Sequence, residues 1–464
     1  MSTPFNGPVG VGFIGTGVIS DQYLTNLTTF PDLEVLILGD LNTEVAAAQA
    51  EKYGIPASGT AQDVLDHPGV QVVVNLTIPA VHTEISAQAI AAGKHVWTEK
   101  PLGLDRESTA ALLKQADEAG LRIGCAPDTV LGAGVQTAKR AILDGLIGRP
   151  LFAQTSMQWQ GPEVFHPNPA FLFAKGAGPL LDIGPYYFTT LVSLFGTVEK
   201  VAAMGLKAQE EREILVGPNK GQKFPVEPPS TISVLTQFEG GQTGTSLVSF
   251  DSPLARQGIV EIHGTEGSLS IPDPNMFEGR IAYVRPFESF GEAPPEQEWI
   301  EIQQEGPVTG RGLGLLDMVR AIQEDRPHVA SGEVGYHVLD IMLSAEESAE
   351  RGEFVDVESS VDTVPVLPEG FEPVRVTVRL TPRSGAARNP SHASPYSAPR
   401  VPRGPACDQP DRDRLARTGR HVLPQVIDRS LRARRCMGLG GHAGKDLVRL
   451  HRGQQFRPRP CQPL

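Results

Sequence analysis

The stretch VGVGFIGTGVIS, Val9 to Ser20, joins an apolar run to a glycine pattern. Its first half, Val9 to Ile14, has the continuous apolar character of a strand buried in a parallel sheet. The glycines Gly15 and Gly17 then end the strand, and the next residues predict a helix from Val18 to Thr28. A tight turn of this kind lets backbone N–H groups approach a pyrophosphate at the positive end of a helix. An ordinary turn can carry the same glycines, so the surrounding pattern has to decide.

Strand and helix patterns alternate from this stretch to residue 126. Apolar strand patterns cover residues 33–40, 70–77, 94–101 (with the loop that follows) and 121–126, and helix patterns cover 43–53, 80–93 and 106–119. Such alternation predicts parallel strands joined by right-handed crossovers. Asp40 ends the second predicted strand, where a carboxylate accepts hydrogen bonds from a ribose 2′-hydroxyl. The context therefore predicts a dinucleotide-binding Rossmann domain. Leu41 and Asn42 follow the acid with no adjacent arginine, so NAD is favoured and NADP is the alternative.

The composition is that of an ordinary globular protein. Of the 464 residues, 40% are hydrophobic and 20% are charged. The sequence has no apolar run long enough to span a bilayer and no signal-peptide pattern, which predicts a cytoplasmic protein without a membrane segment. The four cysteines lack the spacing of a zinc site or a disulfide framework, and the histidines show no ligand spacing, so no metal site is predicted.

Charge is divided unevenly along the chain. Residues 1–370 carry 22 Lys and Arg against 48 Asp and Glu, whereas residues 371–464 carry 19 against 6. The acidic body argues against a broad nucleic-acid-binding surface. The final segment is rich in Arg and Pro and poor in apolar residues, which predicts a disordered basic tail. Nucleic acid binding is predicted only as a property of this tail, and translation of GC-rich coding sequence out of frame is the alternative origin for it.

Four motifs follow one another in a recognisable order. They are GFIGTGVIS (12–20), NLTIPAVHTEISAQAIAAGKHVWTEKP (75–101), AILDGLIGRP (141–150) and GAGPLLDIGPYYFTTLVSLFG (176–196). Together they resemble the Gfo/Idh/MocA oxidoreductases, and the Glu99-Lys100-Pro101 triplet is the most specific part of the resemblance. The resemblance implies a Rossmann domain (1–130) and then an α+β domain with a large, mostly antiparallel sheet (131–368), and it leaves the basic tail (369–464) outside the family pattern. It also implies that the late helices, within residues 312–352, pack on the Rossmann domain.

Hydride transfer between NAD and a secondary alcohol needs a base for the hydroxyl proton and a positive charge for the developing alkoxide. The resemblance implies that Lys100 supplies this charge, and partial burial is expected to lower the pKa of its ammonium. Glu99 is expected to reach the nicotinamide ribose or to orient Lys100, and Trp97 to pack under the nicotinamide. The alternative is that Lys100 is a solvated loop residue.

The second chemical motif is DIGPYY, residues 182–187. Many relatives have a histidine as proton acceptor where this chain has Tyr186, a departure shared with the glucose-fructose oxidoreductase branch. In a helix, Asp182 and Tyr186 lie one turn apart on one face, whereas a helix that begins at Pro185 makes Asp182 its cap. A tyrosine hydroxyl has a reference pKa of about 10 and needs a nearby cation to act as a base at neutral pH. Lys100 is the predicted cation, and a core role for Tyr186 is the alternative.

Further positions complete the predicted site. The predicted cofactor contacts are Gly15, Gly17, Val18, Ile19, Asp40, Thr77, Pro79, His82, Glu99 and Lys100. His82 is as well explained by a solvent-facing place at a helix N-terminus. The predicted substrate contacts are Lys100, Asp128, Trp159, Asp182 and Tyr186, with Lys100, Tyr186 and Asp182 as the catalytic set. For Trp159, burial in the second sheet is the alternative.

The leading hypothesis is an NAD(P)-dependent oxidoreductase that acts on a sugar, a polyol or a related secondary alcohol or ketone. A second hypothesis keeps the fold but takes a dihydrodiol or another non-sugar substrate. A third is a catalytically silent, cofactor-binding sensor, suggested by the tyrosine in place of histidine. The resemblance further implies a homo-oligomer that forms through the sheet of the second domain.

Overall fold

The computed structural model describes residue 5 and residues 7–289, 297–307 and 309–374. The predicted tail lies outside the described residues from position 375 onward. Within the described part of the chain, no helix combines the length and apolar composition that a bilayer crossing requires.

Residues 9–125 form the predicted parallel sheet, in the order β3-β2-β1-β4-β5-β6. Its strands are β1 (Val9–Ile14), β2 (Leu33–Gly39), β3 (Ala57–Gly59), β4 (Val72–Asn75), β5 (His95–Thr98) and β6 (Ile123–Cys125). Its helices are α1 (Val18–Leu27), α2 (Thr43–Tyr53), α3 (Ala61–Asp66), α4 (His82–Ala91) and α5 (Arg106–Glu118). The sequence patterns missed β3 and α3, because neither is long enough to show a period.

Strand β1 explains how this sheet is packed. Val9, Val11 and Phe13 are fully buried and join the core shared with the second domain, while Ile14 joins a separate cluster with α3, α4 and α5. On that second face, a Cβ at Gly12 would stand 2.6 Å from a methyl carbon of Val64. The valines of VGVG therefore fill the core on one face of the strand, and Gly12 allows α3 to approach closely on the other face.

Residues 150–356 supply a nine-stranded sheet in the order β16-β15-β14-β13-β7-β12-β11-β8-β17. Its strands are β7 (Pro150–Gln158), β8 (Val198–Leu206), β11 (Thr231–Phe238), β12 (Thr243–Ser249), β13 (Arg256–Gly264), β14 (Ser268–Ile271), β15 (Ile281–Val284), β16 (Ile300–Ile302) and β17 (Val355–Asp356). The strands β9 (Glu211–Glu213) and β10 (Lys223–Pro225) pair separately. Neighbours in the large sheet are antiparallel except β7 and β12, which are parallel. The predicted combination of a Rossmann domain with a large, mostly antiparallel sheet is confirmed.

In the described part of the second half, the α-helices are α6 (Ala133–Leu143), α7 (Gly178–Phe195), α8 (Leu313–Glu324) and α9 (Gly332–Arg351). Helices α7 and α9 pack on one face of the large sheet, and α8 and α9 also contact β6 of the Rossmann sheet. Arg106 of α5 binds Asp340 and Glu347 of α9, which ties the two halves together. The site described below lies where these halves meet.

A strap of irregular chain returns over α6 after β17. The buried ammonium of Lys139 donates to the carbonyl oxygens of Val364 (2.6 Å) and Pro365, and Gln136 accepts a hydrogen bond from the backbone N–H of Leu367. Phe371 is buried under the guanidinium of Arg320. Residues 369–371, which the sequence assigned to the tail, therefore belong to the folded body.

Candidate active site

The glycine turn after β1 has the geometry that a pyrophosphate needs. Gly15 has a φ of 99°, and a Cβ at this position would lie 2.6 Å from the carbonyl oxygen of Leu76. Gly17 is the N-cap of α1, offers no side-chain cap and has open space beside it. The first turn of α1 therefore presents its N–H groups to a cleft without a side chain in the way.

Asp40 holds this turn in place. Its carboxylate accepts hydrogen bonds from the backbone N–H and the hydroxyl of Thr16 (2.7 and 2.9 Å) and from the backbone N–H of Asn42 (2.9 Å). Burial by itself raises the pKa of Asp40, but these hydrogen bonds outweigh it and leave the pKa below its ordinary value. The ionised carboxylate is thus held in one orientation at this edge of the sheet, and its contact with a ribose stays a prediction.

Three large apolar side chains stand exposed around the glycine turn. Val18, Leu41 and Ile78 are 89%, 105% and 67% exposed, and they follow the carboxyl ends of β1, β2 and β4, which are neighbours in the sheet. Covering such exposed apolar groups with a flat ring removes them from water and lowers the free energy. Together with the open turn of α1, they fit a dinucleotide with its base at this rim.

A cleft of about 500 Å³ continues from this edge towards the second domain. Its lining includes the predicted residues Ile19, Thr77, Pro79, His82, Glu99, Lys100, Asp182 and Tyr186. The structure therefore brings the predicted catalytic set together with part of the predicted cofactor set.

Lys100 is paired with Asp182. Its Nζ donates to the Asp182 carbonyl oxygen (2.6 Å) and to Oδ1 (2.8 Å), and the two side chains are 15% and 23% exposed. The ammonium also lies 5.3 Å from the centre of the Tyr186 ring. Burial tends to lower the pKa of Lys100, but the Asp182 carboxylate reverses this and raises the pKa above its ordinary value. The expectation of a lowered pKa is wrong, because the sequence did not show the carboxylate beside the ammonium.

Glu99 is held by its own loop and by α1. One carboxylate oxygen accepts from the backbone N–H of Lys100 (3.0 Å) and the other from the hydroxyl of Tyr23 (2.8 Å). Tyr23 in turn accepts from the indole N–H of Trp97, which is fully buried. Trp97 therefore does not pack under a nicotinamide as expected, since Gly314 of α8 lies against its ring.

His82 links the two loops that flank the cleft. Its Nδ1 lies 2.7 Å from the carbonyl oxygen of Pro101, and its Nε2 lies 2.9 Å from that of Thr77. The side chain is buried, and this burial lowers its pKa. The solvent-facing alternative for His82 is therefore wrong. Both nitrogens of its ring already contact backbone carbonyl oxygens of the protein. Thr77 itself donates its hydroxyl to Asn75 (2.7 Å).

Asp182 and Tyr186 share one face of α7. The helix begins at Gly178, with Pro179 in its first turn, and continues through Pro185 to Phe195. The alternative in which Asp182 caps a helix that begins at Pro185 is therefore wrong. Both side chains line the cleft, as the spacing of four residues predicts.

The hydroxyl of Tyr186 has a partner that the sequence patterns missed. Arg311 donates to it from Nη2 (3.2 Å), and the same guanidinium binds Asp128 from Nη1 (3.2 Å). Asp128 is fully buried, and its second oxygen accepts from the backbone N–H of Gly312 (2.7 Å). The predicted contact of Asp128 with substrate is therefore corrected, because its carboxylate is taken up by Arg311 and the start of α8.

Two further aromatic residues lie apart from the cleft. Trp159 stacks on Phe165, with 5.3 Å between ring centres, and does not belong to the lining described above. Tyr187 is buried, and its hydroxyl accepts a hydrogen bond from the backbone N–H of Gly258 (2.9 Å). Among the described residues, no group of three or more His, Cys, Asp or Glu is arranged to hold a metal ion.

The sequence matches two family profiles that together span most of this body. Residues 9–126 match the "Oxidoreductase family, NAD-binding Rossmann fold", and residues 135–270 match the "GFO/IDH/MocA C-terminal domain". The chain belongs to the Gfo/Idh/MocA oxidoreductase family. The resemblance drawn from the four motifs is thereby confirmed, and with it an NAD-binding oxidoreductase.

Relatives of this Gfo/Idh/MocA protein include enzymes with different named substrates. A levoglucosan dehydrogenase of Pseudarthrobacter phenanthrenivorans is 28% identical over 69% of this chain and 89% of its own length. A 1,5-anhydro-D-fructose reductase of Ensifer adhaerens is 28% identical over 75% and 99%. A trans-1,2-dihydrobenzene-1,2-diol dehydrogenase of Sus scrofa is 25% identical over 57% and 74%.

Solved structures of the family share the fold. A levoglucosan dehydrogenase in complex with NADH and L-sorbose has a TM-score of 0.65 and 24% identity, covering 76% of this chain and 99% of that one. An oxidoreductase domain protein from Kribbella flavida has a TM-score of 0.66 and 21% identity, covering 76% and 100%. At these identities the likeness establishes the fold of this Gfo/Idh/MocA member and leaves its substrate open.

Proposed function

We propose that this NAD-binding oxidoreductase acts on a sugar, a polyol or a related secondary alcohol or ketone, with Tyr186 as the proton acceptor. The observation that carries the proposal is the convergence of Lys100, Asp182 and Tyr186 on one cleft beside the glycine turn. An ammonium, a carboxylate and a phenol around one cavity match the needs of an alcohol that loses a proton as its carbinol carbon is oxidised.

Each side chain has a separate role in the proposed reaction. NAD, when bound, supplies the two-electron acceptor. Tyr186, as its phenolate, accepts the hydroxyl proton and becomes the neutral phenol, and Lys100 donates a hydrogen bond to the same substrate oxygen as negative charge develops on it. Lys100 makes this bond by giving up one of its two contacts with Asp182. The Asp182 carboxylate then accepts a hydrogen bond from a neighbouring hydroxyl of a polyhydroxylated substrate.

The names of two relatives support a sugar-derived substrate. The levoglucosan dehydrogenase and the 1,5-anhydro-D-fructose reductase each match more than two thirds of this chain. The dihydrodiol dehydrogenase matches a shorter part of it, at 57% of the chain. A dihydrodiol is therefore the second candidate substrate class, and both classes present adjacent hydroxyl groups to a Lys-Asp pair.

A substrate screen tests this function. We expect NAD⁺ reduction at 340 nm with at least one sugar or polyol, and a loss of roughly 100-fold in kcat/KM for Lys100→Ala. NAD should raise the melting temperature of both proteins more than NADP does, because binding to the native state stabilises it. Turnover confined to dihydrodiols would move the assignment to the second class. Cofactor binding without turnover of any class would support the sensor hypothesis and overturn the proposal.

We also infer that the protein forms a homo-oligomer through the large sheet. Along β8 and β11, side chains on the face opposite α7 and α9 are more exposed than those that point towards these helices. The exposed apolar residues of this face include Phe152, Met204, Leu206 and Leu235, and Phe152 is stacked on His263 at 4.3 Å. Apolar exposure on one continuous sheet face is typical of a buried interface.

Light scattering after size exclusion tests this inference. The wild-type protein should elute with the mass of an oligomer, and Leu235→Lys should reduce that mass to one chain. Leu143→Lys is the matched control, because Leu143 is 66% exposed at the end of α6, away from the sheet face. A wild-type mass of one chain at micromolar concentration would contradict the inference.

A further inference from the structure

Arg311 lies directly before α8, and its guanidinium contacts the hydroxyl of Tyr186. Its side chain is 9% exposed, and its Nη2 donates to the Tyr186 hydroxyl (3.2 Å) and to Asn275 Oδ1 (3.1 Å). Its Nη1 donates to Asp128 Oδ1 (3.2 Å). The guanidinium therefore bridges the second domain, the end of the Rossmann sheet and the start of α8.

The fold holds Asp128, and through it Arg311, in a fixed place. The second oxygen of Asp128 accepts from the backbone N–H groups of Gly312 (2.7 Å) and Gly314 (3.4 Å) at the start of α8. A Cβ at Gly314 would stand 2.1 Å from the Trp97 ring, so only glycine allows this approach. Burial raises the pKa of Asp128, and the guanidinium with these N–H groups opposes that rise. A buried carboxylate that is fixed by backbone N–H groups in this way holds its guanidinium partner in one orientation.

The contacts of Lys100 differ from those of Arg311. Lys100 Nζ lies 5.3 Å from the centre of the Tyr186 ring and makes its two short hydrogen bonds to Asp182. The cation that hydrogen-bonds to the hydroxyl itself is Arg311. The charged and titratable groups around Tyr186 are Lys100, Arg311, Asp182, Asp128, Glu99 and, behind Glu99, Tyr23.

We propose that Arg311 is a positioning residue for the proposed reaction: it orients the Tyr186 hydroxyl and stabilises the phenolate that receives the substrate proton. The inference rests on the proposed function, since it needs Tyr186 as the base. A fixed guanidinium also favours a tyrosine over a histidine at this position. A phenol becomes an anion when it is ready to act as a base, whereas an imidazole becomes a second cation when it accepts the proton.

The pH dependence of kcat for alcohol oxidation tests this role. In the wild-type protein we expect kcat to rise with pH, because a general base must be free of its proton before it can accept one from the substrate. Arg311→Met removes a cation within hydrogen-bond distance of the hydroxyl, so the midpoint of this rise should move up by about one pH unit or more. At pH 7 the variant should lose roughly 10- to 100-fold in kcat, with little change in the KM for NAD. Arg320→Met is the matched control, because Arg320 lies in α8 and pairs with Asp32 away from the cleft.

Arg311→Lys separates the charge from the geometry. The lysine ammonium keeps a positive charge near Tyr186, so the midpoint of the pH profile should stay within about half a pH unit of the wild-type value. It lacks the planar guanidinium that binds Asp128 and Tyr186 at the same time, so kcat should fall. Stabilisation by NADH in a melting experiment reports that each variant is folded. Should Arg311→Met fail to fold, Arg311→Lys decides, and a wild-type kcat in that variant overturns the inference.

The two proposals fail in different ways. If Tyr186→Phe is inactive while folded Arg311→Met keeps the wild-type midpoint and kcat, Arg311 has no positioning role and the proposed function stands. If Tyr186→Phe keeps full activity, Tyr186 is not the base and the proposed function itself falls.

Discussion

Two ion pairs flank Tyr186, and they differ in their access to solvent. The Lys100–Asp182 pair lines the cleft, with side chains 15% and 23% exposed. The Arg311–Asp128 pair lies behind the ring, with side chains 9% and 0% exposed. Each cation stands 5.3 Å from the centre of the Tyr186 ring.

The difference between the pairs separates two tasks. A pair that lines the cleft can exchange one of its hydrogen bonds for a substrate oxygen, because a molecule in the cleft can reach it. The Arg311–Asp128 pair lies outside that lining, and the loss of either partner would leave a buried charge unpaired at a cost of several kcal/mol. In the proposed mechanism, Lys100 and Asp182 therefore contact the substrate, and Arg311 and Asp128 keep a fixed positive charge beside the Tyr186 hydroxyl.

Removal of the hydroxyl between the pairs should have the largest effect. Tyr186→Phe keeps the ring between both cations and should lower kcat by about 1,000-fold, the usual effect of losing a general base. Tyr187→Phe is the matched control in the next helical position, because the Tyr187 hydroxyl binds the backbone N–H of Gly258 and not the cleft. Steady-state kinetics with saturating NAD⁺ measure both, and equal losses in the two variants would contradict the assignment.

Neutralising one carboxylate in each pair should separate their effects on stability. Asp128→Asn leaves the Arg311 charge buried and should lower the free energy of unfolding by about 3 kcal/mol. Asp182→Asn acts on the pair that lines the cleft, where both side chains keep some contact with solvent, and should cost less than Asp128→Asn. Urea unfolding followed by fluorescence gives both values. Similar losses would mean that the two pairs do not differ in the way that their exposure indicates.

Lys100→Arg tests whether Lys100 sets the pH dependence of kcat. The Asp182 carboxylate raises the pKa of Lys100. At any pH below the ordinary lysine pKa of about 10.5 the ammonium is therefore protonated, and its ion pair contributes fully to the stability of the fold. That contribution is lost only as the pH rises through the still higher pKa of the folded state. We expect Lys100→Arg to lower kcat by roughly 10-fold without moving the midpoint of the pH profile. Disappearance of the pH dependence in this variant would identify Lys100 as the titrating group.

The smallest predicted effect concerns the third partner of Arg311. Asn275→Ala removes one hydrogen bond to the Arg311 guanidinium, and a bond of this kind contributes about 1 kcal/mol. The hydrogen bond between Arg311 and Asp128 stays in place. We expect kcat to fall roughly threefold to fivefold, with the melting temperature nearly unchanged. A loss as large as that of Arg311→Met would show that Asn275, and not Asp128, fixes the guanidinium.

The sequence predicts the parts of this site that lie on local motifs. The glycine turn, Asp40, the Glu99-Lys100-Pro101 triplet and the spacing of Asp182 and Tyr186 all depend on a few neighbouring residues. Because the carboxyl ends of parallel strands meet at one edge of the sheet, their convergence follows from the strand order. The first half of the fold could therefore be predicted almost element by element, apart from the short β3 and α3.

Contacts between distant segments were not predictable in this way. Arg311 is a single arginine in GRGLG, residues 310–314, and meets Tyr186 only after α8 docks on the Rossmann sheet. The same docking buries Trp97 and draws Asp128 away from the cleft. The one available signal was the glycine spacing before α8, which indicates a close approach but not its partner.

The strap over α6 sets where the chain can be shortened. Cutting after residue 374 keeps the carbonyl oxygens of Val364 and Pro365 on Lys139 and keeps Phe371 under Arg320. Cutting after residue 360 instead leaves the ammonium of Lys139 with Ser193 as its remaining partner and opens the apolar surface beneath the strap. The shorter protein should therefore be cleaved more readily by proteases and be more prone to aggregation than the longer one.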